Sequence, residues 1–259
     1  MRKPFIIANW KMNKNVQESV EFAKAMQNAV PLGEDVGIAA QALSLYSMRA
    51  AIGDSPLRII AQNAGSQPAG AQTGEISIES LADAGVSHVL LGHLERRLLF
   101  HESNEEIGKK VATALQFGVT PIICTDEEKI QVTIDGEQHY FFHQLTSILQ
   151  GLSPKQMRRI IISYEPRFAV GAKQAASPKV AETTCWQIRQ SIADHFGKKV
   201  ADEVRILYGG SVTPQNIYGI VSQPNVDGAL IGRASLDIQS FLQMVNCFQT
   251  AKRQKLAAI

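Results

Sequence analysis

The sequence of 259 residues has few of the features that mark a specialised class of protein. Its three cysteines, Cys124, Cys185 and Cys247, form neither a CxxC pair nor a disulfide-like spacing, which indicates free thiols in a reducing compartment. No apolar run approaches the ~20 residues that cross a bilayer. The short apolar run near the N-terminus is soon followed by Lys and Asn, unlike a signal peptide. The sequence therefore predicts a cytoplasmic protein that does not bind a membrane.

An excess of charge of either sign is also absent. Lys and Arg total 26 against 24 for Asp and Glu, a formal net charge of +2, so no nucleic-acid partner is predicted. Cys and His do not cluster at metal-ligand spacing, and no GxGxxG motif follows the first apolar run. We therefore expect neither a metal ion nor a cofactor.

Eight short apolar runs rich in β-branched residues recur along the chain. They lack polar alternation, as expected of parallel strands that are covered on both faces. Between them, apolar residues at i, i+3 and i+4 spacing predict helices, for example over 17–30, 104–118 and 178–197, and the tail at 250–259 is predicted as a helix end. This alternation predicts an α/β fold, a (β/α)8 barrel that forms a single domain over residues 1–259, in preference to an open doubly wound sheet. The predicted strands lie within 4–10, 36–40, 57–63, 88–93, 120–125, 159–166, 204–210 and 228–232.

In such a barrel, the reactive residues lie on the loops where the strands end. The predicted strands end in one carboxylate base, one imidazole, one ammonium group and two glycine-rich turns. An enzyme that acts on a phosphorylated carbonyl compound would need this combination. The residues at these ends are Asn9, Lys11, Asn63, His93, Glu95, Glu165, Gly209, Gly210, Ser211 and Gly232.

Three of these residues have a setting that suits proton transfer. Glu165 follows an apolar strand and precedes Pro166, and a carboxylate that is desolvated there becomes more basic. His93 comes directly before a predicted helix, whose N-terminus disfavours the imidazolium and favours a neutral imidazole that acts as an electrophile. Lys11, close to Asn9, supplies a fixed positive charge. The remaining histidines are predicted to be structural.

The two glycine-containing turns are candidate phosphate sites. Backbone N–H groups of Gly209, Gly210 and Ser211 can point at an anion. Gly232 opens a short predicted helix after the last strand, and the N-terminus of a helix favours an anion.

At these positions the sequence closely resembles the triosephosphate isomerase family, from about residue 4 to residue 245. The resemblance implies a (β/α)8 TIM barrel that isomerises small sugar phosphates in glycolysis without a cofactor. The implied reaction interconverts dihydroxyacetone phosphate and glyceraldehyde 3-phosphate through an enediol. Each motif is short, but seven of them follow the order and spacing of the family. They are ANWKMN (8–13), AQN (61–63), TGEIS (73–77), GHLERR (92–97), SYEP (163–166), YGGSV (208–212) and GALIGRASL (228–236).

The resemblance also implies roles for the residues around the site. Glu165 would abstract a proton from the carbon beside the carbonyl, and Glu95 would pair with Lys11. The stretch at 166–176, which includes Gly171, matches the family's lid over the phosphate. The residues that match the latch of the closed lid are Tyr208, Ser211 and Ala176.

The segment at 67–77 resembles the loop with which family members form homodimers. In those dimers, the residue that matches Thr73 reaches into the active site of the partner. A homodimer is therefore expected for this chain.

Several residues near the predicted site differ from the usual pattern of the family. Leu94 replaces a Ser whose hydroxyl holds the catalytic carboxylate while the lid is open, and Arg233 replaces a Gly of the phosphate turn. The lid and the end of the fifth predicted strand also differ, at Arg167, Phe168, Lys173 and Asp126.

These differences leave three hypotheses open. The favoured one is a divergent triosephosphate isomerase. The second is a paralogue that isomerises L-erythrulose 1-phosphate to D-erythrulose 4-phosphate, in which Arg233 meets the phosphate or an extra hydroxyl. The third is a catalytically silent sugar-phosphate-binding protein on the same fold. The joint presence of Asn9, Lys11, His93 and Glu165 disfavours the third, because binding a phosphate requires neither a base nor an electrophile.

Overall fold

The fold is a closed barrel of parallel strands. The computed structural model describes residues 2–30, 35–126, 129–134, 136–169 and 176–257. In these residues the barrel order is β1-β10-β9-β8-β5-β4-β3-β2, with β6 and β7 paired separately. All eight predicted strands are present, and the predicted (β/α)8 barrel is confirmed. The strands are β1 (Phe5–Asn9), β2 (Asp35–Ala40), β3 (Arg58–Ala61), β4 (His88–Leu91), β5 (Thr120–Thr125), β6 (Ile130–Ile134), β7 (Glu137–Phe141), β8 (Ile161–Tyr164), β9 (Arg205–Gly209) and β10 (Gly228–Ile231).

Helices connect the strands and cover the outside of the barrel. Their start signals are local: Asn15 and Glu18 form a capping box at the first helix, and Ser177 caps a helix that has Pro178 at its first position. None of the helices in the described ranges is long and apolar enough to cross a membrane. The helices are α1 (Val16–Met26), α2 (Ala42–Ile52), α3 (Ile78–Asp83), α4 (Leu94–Leu99), α5 (Asn104–Gln116), α6 (His143–Leu149), α7 (Pro154–Met157), α8 (Pro178–Phe196), α9 (Lys198–Ala201), α10 (Ile217–Val221) and α11 (Ile238–Ala257), with a one-turn 3-10 helix at Arg233–Ser235.

The buried core has two layers, one inside the barrel and one between the strands and the helices. Because side chains alternate along a strand, the strands contribute to both layers and read as continuous apolar runs. The filled interior closes the barrel below its carboxyl edge and leaves the reactive groups at the mouth. The interior layer contains Phe5, Ile7, Ala39, Ile60, Leu90, Ile122, Cys124, Ile161, Leu207 and Leu230.

The hairpin of β6 and β7 is the element that the sequence analysis missed. It lies between β5 and α6 and packs on α8, where the Tyr140 ring lies 5.6 Å from the Trp186 ring. His139 Nδ1 also lies 2.9 Å from Asp194 Oδ2. The sequence does carry the signal, because two alternating segments flank an Asp-Gly pair at 135–136, a strong hairpin indicator.

His88 lies at the start of β4, and its protonation is expected to control stability in acid. Burial, together with the charge of Arg205, lowers the pKa of His88 to about 3, against ~6.5 in an unfolded chain. The unfolded state therefore binds more protons than the folded state between these two values. The stability that neutral His88 contributes is fully present above pH ~6.5 and is lost as the pH falls towards 3.

The variant His88→Gln should remove this proton-linked loss. Between pH 7 and pH 4 we expect the free energy of unfolding to fall by roughly 3 kcal/mol less than in the parent protein. Urea unfolding at the two pH values measures the difference. The exposed His143 provides a matched control as His143→Gln. An acid response of His88→Gln equal to that of the parent would contradict the prediction.

Candidate active site

The predicted site residues converge on one cavity at the carboxyl edge of the barrel. The cavity has a volume of about 690 Å³. Gly209 lies behind Glu165, and Thr73 lies in an exposed part of the loop after β3. The described predicted residues that do not line the cavity are Asn63, Thr73, Ala176, Tyr208 and Gly209. Gly171 and Lys173 fall outside the described residues. The predicted residues that line the cavity are Asn9, Lys11, His93, Glu95, Glu165, Gly210, Ser211, Gly232 and Arg233.

Glu165 directly follows β8 and is buried against the cavity floor. Its backbone N–H donates to Thr125 O at 2.8 Å, which continues the strand pairing and fixes where the side chain starts. Oε2 lies 3.1 Å from His93 Nε2, and Oε1 lies 3.5 Å from Ser163 Oγ. Burial raises the pKa of Glu165, but the adjacent His93, the Cys124 thiol and Lys11 lower it, with a net value below the ordinary one. Glu165 is therefore a carboxylate that is ready to accept a proton.

His93 is the N-cap residue of α4, so its position follows from the turn between β4 and that helix. Nδ1 accepts the backbone N–H of Glu95 at 3.3 Å, a contact that places a ring proton on Nε2. Burial lowers the pKa of His93, but the adjacent Glu165 carboxylate raises it, with a net value above the ordinary one. The neutral imidazole predicted from the helix N-terminus is therefore not favoured while Glu165 lies beside the ring. Nε2 is not aligned for a hydrogen bond with Glu165 or with any other described residue. It is a buried donor that a ligand in the cavity can satisfy.

Lys11 is held in place by its backbone as well as by its side chain. Its φ of 55° is in the left-handed region, and its N–H donates to Asn9 Oδ1 at 3.2 Å. Gln62 Nε2 donates to the Lys11 carbonyl at 3.0 Å, a support that the sequence analysis did not identify. The Nζ atom pairs with Glu95 Oε1 at 2.6 Å, as the resemblance implied. Glu95 thus contacts both Lys11 and the ring of His93, and it couples their positions.

Gly209 serves the site in a different way from the one expected. A Cβ atom at this position would lie 2.4 Å from Glu165 Cγ. The missing side chain therefore makes room for the carboxylate, and Gly209 does not line the cavity itself.

Two other glycines lie at the cavity itself. Gly210 has a φ of 124° and Ser211 one of 43°, and both residues line the cavity wall. Gly232 precedes the one-turn 3-10 helix at Arg233–Ser235, so the short helix predicted there is confirmed. Arg233 is exposed on the cavity wall and has no ion pair with a residue of the described ranges.

Both ends of the segment that matches the lid contact the barrel. At one end, Ser211 Oγ donates to Ala169 O at 2.8 Å. At the other, the Ala176 N–H donates to Tyr208 Oη at 3.2 Å, and burial raises the pKa of Tyr208 to about 12. Tyr208 and Ser211 thus contact the two described ends of this segment.

Two of the departures from the family pattern form one interaction. The guanidinium of Arg167 pairs with the carboxylate of Asp126, and Asp126 also accepts a 2.6 Å hydrogen bond from Gln144 Nε2. The start of the lid is thereby tied to the end of β5. Phe168 is 65% exposed, whereas Leu94 is buried and offers no polar group at its position.

Across the residues that the structure describes, no group of three or more His, Cys, Asp or Glu side chains is placed to hold a metal ion.

Comparisons with known proteins agree with this geometry. A family model described as triosephosphate isomerase matches residues 4–248. The triosephosphate isomerase of Streptococcus equi subsp. zooepidemicus is 42% identical over 247 residues, which cover 95% of this chain and 98% of that protein. That of Streptococcus suis is 41% identical over 247 residues, with 95% and 99% covered. That of Streptococcus thermophilus is 41% identical over the same length, with 95% and 98% covered.

Proposed function

The chain belongs to the triosephosphate isomerase family and is an isomerase, and from that premise we propose that it interconverts dihydroxyacetone phosphate and glyceraldehyde 3-phosphate. One observation carries the proposal: an ionised Glu165, the buried Nε2 of His93 at 3.1 Å from its carboxylate and the Lys11 ammonium group face the same cavity. A base and two electrophiles around one small volume are what proton transfer beside a carbonyl requires.

In the proposed mechanism, Glu165 moves a proton between two neighbouring carbons. The carboxylate takes a proton from the carbon beside the carbonyl, which leaves an enediolate. The proton of the neighbouring hydroxyl passes to the former carbonyl oxygen, so that the two forms exchange through the enediol. Glu165 then returns the proton to the former carbonyl carbon. The carbonyl oxygen becomes a hydroxyl and the neighbouring hydroxyl oxygen becomes the new carbonyl, so all electrons stay in the substrate. The reaction therefore needs no redox cofactor.

His93 and Lys11 stabilise the oxygen atoms during this exchange. The Nε2–H of a neutral His93 donates to the carbonyl and enediol oxygens, which also separates the ring from Glu165. Lys11 Nζ supplies positive charge for the developing enediolate and for the phosphate. The Glu95 carboxylate holds Lys11 and limits its movement through their 2.6 Å contact.

Backbone groups are proposed to bind the phosphate. Gly210, Ser211 and Gly232 all line the cavity, and backbone N–H groups in such turns and at a helix start suit an anion. Gly171 is proposed as a further contact from the lid. With the lid latched on Tyr208 and Ser211, water is excluded from the enediol, which favours its reprotonation.

A four-carbon ketose phosphate is a second candidate substrate, and the position of Arg233 favours it. The guanidinium lies at the cavity wall without an ion-pair partner in the described part of the chain, so it can reach an additional hydroxyl or the phosphate. The test is kcat/KM for glyceraldehyde 3-phosphate and L-erythrulose 1-phosphate on one preparation. A 100-fold preference for the three-carbon substrate, about 2.7 kcal/mol, supports our proposal, and the reverse preference overturns it.

We propose that the active form is a homodimer in the cytoplasm. Apolar side chains are exposed on the segments after β1, β2 and β4, which are close together in the barrel order, and the loop with Thr73 follows β3. The three cysteines are free thiols, as suits a reducing compartment. Sedimentation equilibrium should give the mass of two chains, and a single-chain mass would contradict the dimer. The exposed apolar residues are Met12, Leu43, Tyr46, Leu98, Leu99 and Phe100.

The variant Gly209→Ala tests how finely the base is placed. Its Cβ would overlap Glu165 Cγ, so the carboxylate must shift. A displacement of about 1 Å costs about 100-fold in rate, so we expect kcat to fall by about that factor with little change in KM. Steady-state kinetics measure this, and Gly108→Ala, where the added Cβ meets its nearest neighbour at 3.4 Å, is the matched control. An unchanged kcat in Gly209→Ala would show that Glu165 tolerates the shift.

A further inference from the structure

Ser163 lies inside the barrel directly below the carboxylate of Glu165. The two residues are two positions apart along one extended segment, so their side chains point to the same face, the barrel interior. Ser163 is completely buried, and its Oγ lies 3.5 Å from Glu165 Oε1. This is the one side-chain hydrogen bond that Ser163 makes with the described residues.

The surroundings of Ser163 are otherwise apolar. In the strand register Ser163 lies beside Cys124 of β5 and Leu207 of β9, and Ile161 lies below it on the same face. A hydroxyl in such a place costs free energy unless it is hydrogen-bonded. Glu165 is the acceptor within reach, so the hydroxyl is arranged to serve that carboxylate.

Position 94, beside His93, offers no hydroxyl to the site. The buried Leu94 side chain has no polar atom, whereas the family resemblance implies a Ser that holds the carboxylate at this position. On the basis of the proposed function, we propose that Ser163 is a positioning residue that orients Glu165 from below, in place of the hydroxyl that is missing at Leu94.

The geometry indicates how this support works. Ser163 Oγ lies 3.5 Å from Oε1 and His93 Nε2 lies 3.1 Å from Oε2, so each carboxylate oxygen has one polar neighbour. A separation of 3.5 Å is long for an O–H···O bond, and the contact is correspondingly weak. Ser163 therefore orients the carboxylate without preventing its movement towards a substrate.

The variant Ser163→Ala removes the hydroxyl with the smallest change in volume. We expect kcat/KM to fall about 10-fold, because the carboxylate is less well oriented. A donor hydroxyl stabilises the ionised form, so its loss should also raise the pKa of Glu165 and shift the acid limb of the kcat/KM profile to higher pH. The buried Ser44 on α2, converted by Ser44→Ala, is the matched control for loss of a buried hydroxyl.

Rescue distinguishes positioning from packing. If Ser163 replaces the missing hydroxyl, Leu94→Ser in the Ser163→Ala background should recover most of the lost kcat/KM and move the acid limb back. If kcat/KM of Ser163→Ala is within 2-fold of the parent value and the acid limb of its pH profile does not move, the inference is overturned. A loss of activity that Leu94→Ser does not restore, with an unmoved limb, assigns Ser163 to packing and also overturns it.

A readout without turnover separates this inference from the proposed reaction. In protein with ¹³C-labelled Glu side chains, the Glu165 δ-carbon can be titrated directly and assigned with Glu165→Gln. A higher pKa in Ser163→Ala supports the inference even if the parent isomerises neither sugar phosphate, the result that overturns the proposed function. If the parent is active and Ser163→Ala leaves the pKa of Glu165 unchanged, the inference is overturned while the proposed function stands.

Discussion

Glu165→Gln is expected to lower kcat by about 10³-fold or more, the upper part of the range for general acid–base catalysis. The amide has nearly the shape of the carboxylate, so it still fits against Gly209 and beside His93. It cannot accept the carbon-bound proton at neutral pH, and the enediol does not form. Because the amide keeps the cavity filled, the KM for glyceraldehyde 3-phosphate should change much less than kcat.

Glu165→Asp gives a second test of the same residue. The shorter side chain withdraws the carboxylate by about one bond length while keeping its charge, and a loss of about 100-fold or more in kcat is expected. Both variants are measured in each direction of the reaction, with Glu105→Gln on the exposed face of α5 as the control. Retention of a tenth or more of the parent kcat by Glu165→Gln would show that another group is the base.

The barrel could be predicted because its signals are local and repeated. Each strand is an apolar run without alternation, and helix starts such as the Ser177–Pro178 pair are marked within a few residues. The hairpin of β6 and β7 has its own local signal, but it interrupts the repeat of strand and helix. The alternation of strand and helix therefore does not predict it.

The site was predictable as a set of residues and less so as a set of contacts. Lys11, His93 and Glu165 follow different strands, and closure of the barrel alone brings their side chains together. By contrast, the pairing of Arg167 with Asp126 depends on the paths of two loops, which carry no pattern in the sequence. These contacts had to be read from the structure.

Gly209 and Ser163 illustrate the same limit for single residues. The sequence suggested that Gly209 binds phosphate, whereas the structure shows that its missing Cβ accommodates Glu165. Ser163 looked like one more strand residue until its direction was known. The direction of the Glu165 side chain decides the role of Gly209, and the direction of the Ser163 side chain decides the role of Ser163. Both directions depend on the strand register.

Lys11→Met is expected to lower kcat/KM by about 10²- to 10³-fold, the loss that follows removal of one group that stabilises the charge of a transition state. Met has a similar length without the charge, so the cavity keeps its shape. We expect kcat to fall and KM to rise, because the ammonium group is proposed to face both the phosphate of the substrate and the oxygen that becomes negative during the reaction.

Part of this loss comes from the Glu95 carboxylate, and a double variant separates it from the loss of the Lys11 charge. Without Lys11, the Glu95 carboxylate loses its 2.6 Å partner and remains close to His93 at the edge of the cavity, where it repels an anionic substrate. The double variant Lys11→Met, Glu95→Gln should therefore be more active than Lys11→Met alone, while staying well below the parent. Steady-state kinetics on both variants measure the two contributions, with Lys24→Met on the exposed side of α1 as the charge control. A Lys11→Met variant within 5-fold of the parent would contradict the proposed role of Lys11. A double variant no better than Lys11→Met would show that Glu95 adds no repulsion, leaving the lost ammonium charge as the whole effect.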